Sequence, residues 1–287
     1  MDDTEWLAGR FEESRPRLKG VAYRMLGSLT EADDAVQEAW LHAVRGNAGQ
    51  VSNLEGWLTT IVGRVCLDML RSRKTRREDP LDDRDIRVDG GPEQEAVLAE
   101  SVGLAMLVVL DTLAPAERVA FVLHDMFGMP FDEIGSATGR STDAARQLAS
   151  RARRRVRGAD PAPEPDLARK HKVVEAFLAA SRHGDLGALV ALLDPDVVLY
   201  ADEAARAAGG SRTVRGAGNI AAGAIARSRA AAFGQLVLID GEPGLILAPR
   251  GKLRLALTFV VTDGKISEMD VIGDPARLDE LEISLVK

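Results

Sequence analysis

The sequence has a single cysteine, Cys66, few aromatic residues and only four histidines. One cysteine excludes a disulfide within the chain, and no spacing of Cys and His resembles that of a zinc site. No apolar run reaches the length that crosses a membrane, and the acidic start of the chain is unlike a signal peptide. These absences predict a cytoplasmic protein with no membrane partner, no metal and no cofactor, in which Cys66 packs as a small apolar residue.

Basic residues are outnumbered overall, because 37 Lys and Arg against 44 Asp and Glu give a formal net charge of −7. The basic residues are nevertheless concentrated in two runs, Arg71–Arg77 and Arg140–Arg157, with acidic residues clustered between them from Asp79 to Asp89. Such segregation carries more information than the net sum and predicts local basic surfaces. A length of 287 residues favours two or three domains.

The stretch from Met129 to Gly158 predicts a helix-turn-helix. Phe131–Thr138 is typical of a short helix, Gly139 suits a tight turn, and Ser141 can cap a second helix. One narrow apolar stripe follows on that second helix: Ala145, Leu148, Ala149, Ala152 and Val156. Its opposite face carries polar and cationic residues: Arg146, Gln147, Ser150, Arg151, Arg154 and Arg157.

A helix of this kind can read a major groove, while Arg140 and Arg153–Arg155 neutralise flanking phosphates. The alternative is a solvated basic helix at the end of a bundle, because Arg also favours helices. The coincidence of turn spacing with a polar face favours DNA binding.

The first 75 residues predict amphipathic helices, with a break or helix start at Pro16. Thr30 and Asp33 form a capping-box pattern that opens a helix through Val44. The outer side of that helix is a polar strip with one apolar residue: Asp34, Gln37, Glu38 and Leu41. This composition suits a protein partner better than DNA.

A second capping box, Ser52 with Glu55, opens a long helix whose core stripe includes Leu58, Val62 and Met69. Its outer stripe is cationic and polar: Thr60, Arg64, Arg71 and Lys74. Trp57 lies beside this stripe, and an aromatic next to cations suits stacking on an unpaired base. A core position for Trp57 is an equally good interpretation.

The remaining organisation follows from composition. Residues 76–100 form an acidic, apolar-poor linker, residues 101–158 the helix-turn-helix domain, and residues 159–167 a proline-rich, semi-rigid hinge. From residue 168 to 287 two amphipathic helices precede alternating residues such as Leu255, Leu257 and Phe259, with a hairpin turn at Asp263-Gly264. Helices followed by an antiparallel sheet predict an α+β domain.

The first two domains resemble the extracytoplasmic-function sigma factors of bacterial RNA polymerase. The resemblance is carried by TEADDAVQEAWLHAV, NLEGWLTTIVGRVCLDMLRSRKTRR and LDTLAPAERVAFVLHDMFGMPFDEIGSATGRSTDAARQLASRARRRV, in that order. It implies a docking surface for core polymerase: Asp33, Asp34, Gln37, Glu38 and Leu41. It implies recognition of the promoter −10 element by the loop Arg45–Asn53 and the following helix: Asn53, Trp57, Thr60, Arg64, Arg71 and Lys74. It implies recognition of the −35 element by the second basic helix: Arg140, Ser141, Arg146, Gln147, Ser150, Arg151, Arg154 and Arg155.

The last domain resembles the SnoaL-like cone fold, through its layout and two short segments. DEAARAAGGSRTVRG is similar to a glycine-rich segment of sigma factors that carry this domain, and IGDPARL to their tail motif. The resemblance assigns a regulatory role to that tail: Asp274, Pro275, Arg277 and Leu278. In a cone pocket Asp202 or Asp270 could act as a general base, but no pair of oxyanion donors is evident. A binding or regulatory role is the stronger hypothesis.

The sequence thus predicts two all-α sigma domains, the second a helix-turn-helix, followed by an α+β SnoaL-like domain that modulates them. The expected partners are core RNA polymerase and promoter DNA, with a small ligand of the last domain as a further candidate. Two alternatives stay open: a DNA-binding regulator that works without core polymerase, and an isomerase or cyclase fused to a DNA-binding region.

Overall fold

The computed structural model describes residues 3–46, 51, 53–76, 103–157, 165–206 and 212–286. Contacts divide the chain into two compact units. The first unit consists of Met1–Val102 and Leu113–Arg154, and the second of Gly103–Thr112 and Arg155–Lys287. No helix among the described residues is both long and apolar enough to cross a membrane.

Three long helices begin the first unit: α1 (Asp3–Leu26), α2 (Leu29–Arg45) and α3 (Leu54–Arg76). Each packs against the other two through buried apolar side chains, among them Phe11, Leu18, Val36 and Leu58. Cys66 is fully buried in this unit, as expected of a small apolar residue. Burial raises the pKa of its thiol to about 12, so Cys66 stays protonated and unreactive.

Two local predictions in this unit are wrong. The chain does not break at Pro16, because α1 continues through it, with Phe11 before and Leu18 after it held in one core. The cap of α2 is Ser28 rather than Thr30, and its hydroxyl accepts the Glu31 amide. The same Ser/Thr-x-x-acid pattern therefore works two residues earlier than expected.

The helix-turn-helix is confirmed in its details. It follows α5 (Pro115–Phe121) and one π-helical turn, Val122–Met126, and consists of α6 (Phe131–Thr138) and α7 (Thr142–Arg157). Gly139 joins the two helices in the left-handed conformation, with φ of 67°. The Ser141 hydroxyl accepts the Ala144 amide at 3.2 Å, which caps α7 as predicted. All five residues of the predicted apolar stripe are buried.

The second unit combines helices with one sheet. Its helices are α4 (Leu104–Asp111), α8 (Pro165–His183), α9 (Leu186–Leu192), α10 (Ala217–Ala226), α11 (Ser228–Ala231) and α12 (Pro275–Glu280). Its strands are β1 (Leu193–Ala201), β2 (Thr213–Arg215), β3 (Gly234–Ile239), β4 (Glu242–Leu247), β5 (Leu255–Thr262), β6 (Lys265–Ile272) and β7 (Ile283–Ser284). The strands form a sheet in the order β2-β1-β6-β5-β4-β3-β7.

The expected α+β class is confirmed, with one difference in the sheet. Its pairings are antiparallel except that of β1 with β6, which is parallel. The chain can pair these strands in parallel because α10, α11 and four further strands separate them in sequence. The hairpin at Asp263-Gly264 is present, and both residues have positive φ. An apolar core lies between the sheet and α8, α9 and α10.

The domain limits drawn from the sequence remain predictions. Residues 77–102, most of the expected linker, and residues 158–164, the start of the expected hinge, lie outside the described residues. The contacts assign Gly103–Thr112 and the end of α7 to the second unit.

Candidate nucleic-acid and polymerase interfaces

The outer face of α7 is polar and exposed. Every residue predicted to contact the −35 element lies on it or at its start, and all of them are exposed: Arg140, Ser141, Arg146, Gln147, Ser150, Arg151, Arg154 and Arg155. Six arginines and one aspartate occur in this helix, so its surface is strongly cationic. The arrangement has the geometry and charge that a helix needs to enter a DNA groove.

Part of this arginine set also supports the helix. The Arg151 Nε atom donates to Glu117 at 2.9 Å, and the side chain of Glu117 is only 10% exposed. Arg153 Nε likewise donates to Asp125 at 2.5 Å. Because a carboxylate already faces each guanidinium, these two arginines bring less net positive charge to DNA than their number implies.

Arg146 links the two helices of the motif. Its guanidinium donates to Asp143 at 3.0 Å and lies 5.7 Å from the centre of the Phe131 ring on α6. Gln147, one residue further along α7, has neither contact and is exposed. Sequence reasoning treated these two residues alike, since spacing alone does not reveal which of them is positioned by a neighbour.

The predicted −10 residues lie along α3. Asn53 caps this helix by accepting the Gly56 amide at 3.0 Å, whereas the expected cap, Ser52, lies outside the described residues. Thr60 bonds back to the Gly56 carbonyl at 2.9 Å. Trp57 is partly buried, and a side-chain carbon at Gly46 would lie 2.8 Å from its ring.

Farther along α3, Arg71 lies 3.5 Å from Asp68, and Lys74 is in the last turn. The stripe is thus a single face of one helix, as the sequence predicts.

The structure places part of this stripe against the helix-turn-helix. An Arg64 guanidinium nitrogen donates to the Ser136 carbonyl at 2.8 Å, and Asn53 donates to Glu133 at 3.3 Å. Between these contacts α3 approaches closely at Gly63, whose missing side chain would meet Leu123 at 3.1 Å. Two residues expected to touch promoter DNA therefore bind α6. Sequence reasoning missed this contact.

The outer face of α2 mixes carboxylates with apolar side chains. Asp34, Gln37, Glu38 and Leu41 are exposed, as expected of a docking surface, while Asp33 is partly buried and pairs with Lys19 at 2.8 Å. Val44 was missed: it is 42% exposed and lies one turn beyond Leu41, which is 55% exposed. The i, i+3 spacing of two exposed apolar residues was the available signal.

A groove of about 880 Å³ lies between α2 and α3. Its α2 wall carries Glu31, Asp34 and Glu38, and its α3 wall carries Trp57, Ile61 and Met69. The α2 wall is therefore acidic, whereas the α3 wall mixes these apolar side chains with polar and charged ones, among them Arg64, Asp68 and Arg73.

In the second unit the two candidate base residues and the tail motif come together. The Asp202 carboxylate accepts the amides of Ala205, Gly273 and Asp274 at 2.9 to 3.0 Å. Arg277 donates to Asp202 at 3.3 Å and to Asp270 at 2.8 Å, so one guanidinium bridges both carboxylates. In the tail itself, Asp274 caps α12, Pro275 begins it and Leu278 is buried.

The electrostatics of this cluster oppose a general base. Burial alone raises the pKa of Asp202, but the amides of Asp274, Gly273 and Ala205 and the charge of Arg277 outweigh it, and the pKa lies below its ordinary value. The hydrogen bond and charge of Asp270 raise the pKa of Arg277. The Asp202 carboxylate and the Arg277 guanidinium therefore both stay ionised. Asp202 and Asp270, which the sequence suggested as bases, instead form ion pairs with Arg277 that connect the loop after β1 to the tail.

Comparison with known families defines the class of protein. The model of Sigma-70 region 2 matches residues 10–76, and the model of Sigma-70 region 4 matches residues 104–156. The chain therefore contains both helical modules of a sigma-70-type protein, in the order expected.

Relatives extend the match over the whole chain. The chain is 33% identical over 292 residues to the "Probable ECF RNA polymerase sigma factor SigI" of Mycobacterium tuberculosis, with 99% of each chain covered. It is 39% identical to the "ECF RNA polymerase sigma factor SigJ" of the same species, with 93% of this chain and 91% of the relative covered. The crystal structure of M. tuberculosis SigJ matches with a TM-score of 0.46 and 34% identity, covering 94% of this chain and 98% of that one.

The chain thus belongs to the extracytoplasmic-function (ECF) sigma factors, in a group with SigJ and SigI. Members of this family bind core RNA polymerase and direct promoter-specific initiation of transcription, and the family is not one of enzymes. The expected recognition, fold class and function are confirmed.

Proposed function

We propose that the exposed face of α7 reads the −35 element. Gln147 and Ser150 would contact base edges, and Arg154 with Arg140 would contact phosphates. Arg146, Arg151 and Arg153 would mainly position the helix, because each already bonds a carboxylate. The guanidinium groups of these three arginines are still partly exposed, so they can displace the cations bound to DNA phosphates.

We also propose that α2 and α3 divide the other two tasks. The exposed face of α2, extended from Asp34 through Leu41 to Val44, docks on core polymerase. The α3 stripe from Asn53 to Lys74 contacts the −10 element once Arg64 and Asn53 leave α6. The support is the separation of chemistry, since α2 offers carboxylates and apolar groups whereas α3 offers amide and cationic groups.

The second unit is proposed to regulate rather than to catalyse. Its candidate acid–base residues, Asp202 and Asp270, are both bonded to Arg277, which supports a structural role for them. A small ligand of this domain remains a hypothesis from the resemblance alone. We place the protein in the cytoplasm, where core polymerase and promoter DNA are found.

One observation carries this proposal: a single chain presents an acidic-apolar face on α2 and a polar-cationic face on α7. The test is run-off transcription and pull-down with purified core polymerase. Leu41→Arg should reduce core binding and transcript by at least about tenfold, since it places a cation among apolar contacts.

Val190→Arg is the control, because Val190 is also an apolar, exposed helix residue but belongs to the second unit; it is 41% exposed against 55% for Leu41. It should leave core binding unchanged. A stand-alone regulator would bind promoter duplex without co-eluting with core enzyme, and Leu41→Arg would then change nothing. If the protein were an isomerase or cyclase, it would turn over a substrate. Asp270→Asn would then abolish this turnover while transcription persists.

A further inference from the structure

The turn that precedes the helix-turn-helix is π-helical. A π turn contains one residue more than an α turn, so its side chains point in directions that a continuous α-helix would not give them. After this turn, Val122–Met126, the chain reverses at Gly128, which has φ of 69°. The Met129 amide then donates to the Leu123 carbonyl at 2.9 Å. The π turn and the residues that connect it to α6 are therefore held together by backbone hydrogen bonds.

One side chain of this turn, His124, stacks on the first residue of α6. Its Nδ1 atom lies 3.0 Å from the Met129 carbonyl oxygen and must donate to it, because a carbonyl only accepts. This hydrogen bond fixes the orientation of the imidazole, whose ring centre lies 3.9 Å from that of Phe131. The two ring planes differ by 26°, so the rings are stacked. Phe131 is thus held from the π turn.

Phe131 in turn contacts α7. The guanidinium carbon of Arg146 lies 5.7 Å from the centre of the Phe131 ring, within the distance at which an aromatic ring attracts a cation. Asp143, one turn earlier on α7, accepts a hydrogen bond from the same guanidinium at 3.0 Å. A series of contacts therefore runs from His124 through Phe131 to Arg146.

The same π turn contacts α7 at a second point. Asp125, next to His124, accepts a hydrogen bond from Arg153 Nε at 2.5 Å. Arg146 and Arg153 are seven residues apart, which is about two helical turns, so they lie on one side of α7. That side of α7 is connected to the π turn at both positions.

We propose that His124 and Phe131 are positioning residues for promoter reading. They hold the Arg146 guanidinium in place and so fix where the neighbouring Gln147 meets base edges. Contacts that set the register of a helix on DNA determine which base edge a side chain reaches. The effect of both residues on base preference is exerted through Arg146. This inference rests on the proposed −35 role of α7 and names the residues outside α7 that determine its base preference.

This role requires the aromatic ring. Leucine at position 131 would remain apolar but has no π electrons, so it loses the attraction for the guanidinium, whereas tyrosine keeps it. The chain also offers a matched control in Phe127, which is partly buried like Phe131. The Phe127 ring lies 5.3 Å from the guanidinium carbon of Arg24 on α1, so this contact is of the same kind but involves no residue of α7.

The first measurement is the mobility of arginine side chains, from NMR relaxation of their Nε–H groups in the full-length chain. Phe131→Leu should increase the mobility of Arg146 and leave that of Arg153 unchanged, since Asp125 holds Arg153 separately. Phe131→Tyr and Phe127→Leu should leave Arg146 as it is in the unmodified chain. Unchanged mobility of Arg146 in Phe131→Leu would overturn the proposal.

The second measurement is base preference in the presence of core polymerase. The probe is a duplex that the unmodified chain and core polymerase select from a random library, together with its single-base −35 variants. Phe131→Leu should lower the ratio of binding to selected over changed duplex about two- to fivefold, the effect of losing one exposed cation–π contact. Its affinity for unrelated duplex should stay the same, and Phe131→Tyr should keep the original ratio.

A purely structural role of the ring predicts different results. Phe131→Leu would then weaken binding to all duplexes alike, or Phe127→Leu would lower the ratio as much, and either result would overturn the positioning role. Greater mobility of Arg146 with an unchanged ratio would also overturn it. If the unmodified chain selects no −35 sequence while Arg146 still becomes mobile in Phe131→Leu, the proposed function fails and only the positioning of Arg146 remains.

Discussion

At the scale of single residues, Asp202 shows how a partly buried carboxylate is stabilised. Three backbone amides and Arg277 surround it, and its pKa lies below the ordinary 3.8 because the donors outweigh burial. A depressed folded-state pKa means that the carboxylate contributes stability above its unfolded pKa. This stability is lost as the pH falls from about 4 through the lower folded-state value.

Asp202→Asn therefore should destabilise the protein by about 1–3 kcal/mol near neutral pH, because an amide cannot accept all these hydrogen bonds and carries no charge for Arg277. The difference from the unmodified chain should shrink below about pH 4. Thermal unfolding across that pH range measures both effects. Asp263→Asn is the control, since Asp263 is an exposed turn residue and asparagine tolerates its positive φ. A pH-independent loss would show that the charge of Asp202 is not what matters.

Gln147 and Arg154, both exposed on α7, allow the proposed base and phosphate contacts to be tested separately. Gln147→Ala should relax preference at one −35 base pair by about 1–3 kcal/mol, because glutamine pairs with a base edge. Arg154→Ala should weaken binding to all sequences alike and reduce the salt slope by about one, as expected of one lost phosphate contact. Competition binding with single-base promoter variants separates the two patterns. Similar profiles for both variants would contradict the division between base and phosphate contacts.

At the scale of secondary-structure elements, Gly63 lets α3 approach the π-helical turn at Leu123 and, more loosely, α6 at Ala137. Gly63→Leu should cost about 1–3 kcal/mol of unfolding free energy, because its side chain would crowd Leu123 and Ala137. Gly9 on α1 has nothing within 4 Å, so Gly9→Leu should instead stabilise by up to about 1 kcal/mol through helix propensity. Urea titrations of the two variants give the comparison. Stabilisation by both would mean that α3 does not pack closely on Leu123 and Ala137 in solution.

Local signals explain which elements could be predicted. The periodicity of α7, the turn at Gly139 and the hairpin at Asp263-Gly264 are encoded by neighbouring residues, and the structure confirms them. Long-range pairings were not predictable. Arg64 and Ser136 are 72 positions apart, and no periodicity relates them.

The candidate interfaces follow the same rule. Amphipathic spacing predicted which face of α2 and of α7 is exposed, because exposure depends on helical phase. It did not predict that Arg151 pairs with Glu117, 34 positions away, or that α4 packs on the C-terminal sheet. Uniform apolarity predicts that a helix is buried but not the domain that buries it.

At the scale of the whole molecule, charge and contact both oppose DNA binding by the chain alone. The net charge of −7 provides no general attraction to DNA, and the cationic face of α7 must act against it. Asn53 and Arg64, moreover, are bonded to α6, so −10 contacts require those bonds to open.

We therefore expect the free chain to bind promoter duplex weakly. Core polymerase should increase this affinity by more than the separate affinities of the free chain and of core polymerase for the same DNA predict. Arg64→Ala should weaken binding only in the presence of core, because Arg64 is engaged with Ser136 in the free chain. Fluorescence anisotropy with labelled promoter over a salt series measures this, since each further phosphate that the protein neutralises adds about −0.9 to the logarithmic salt slope. The steeper slope should occur only in the ternary complex. An equally steep slope for the free chain would mean that α3 already reaches DNA, and the α3–α6 contact would then have no part in promoter recognition.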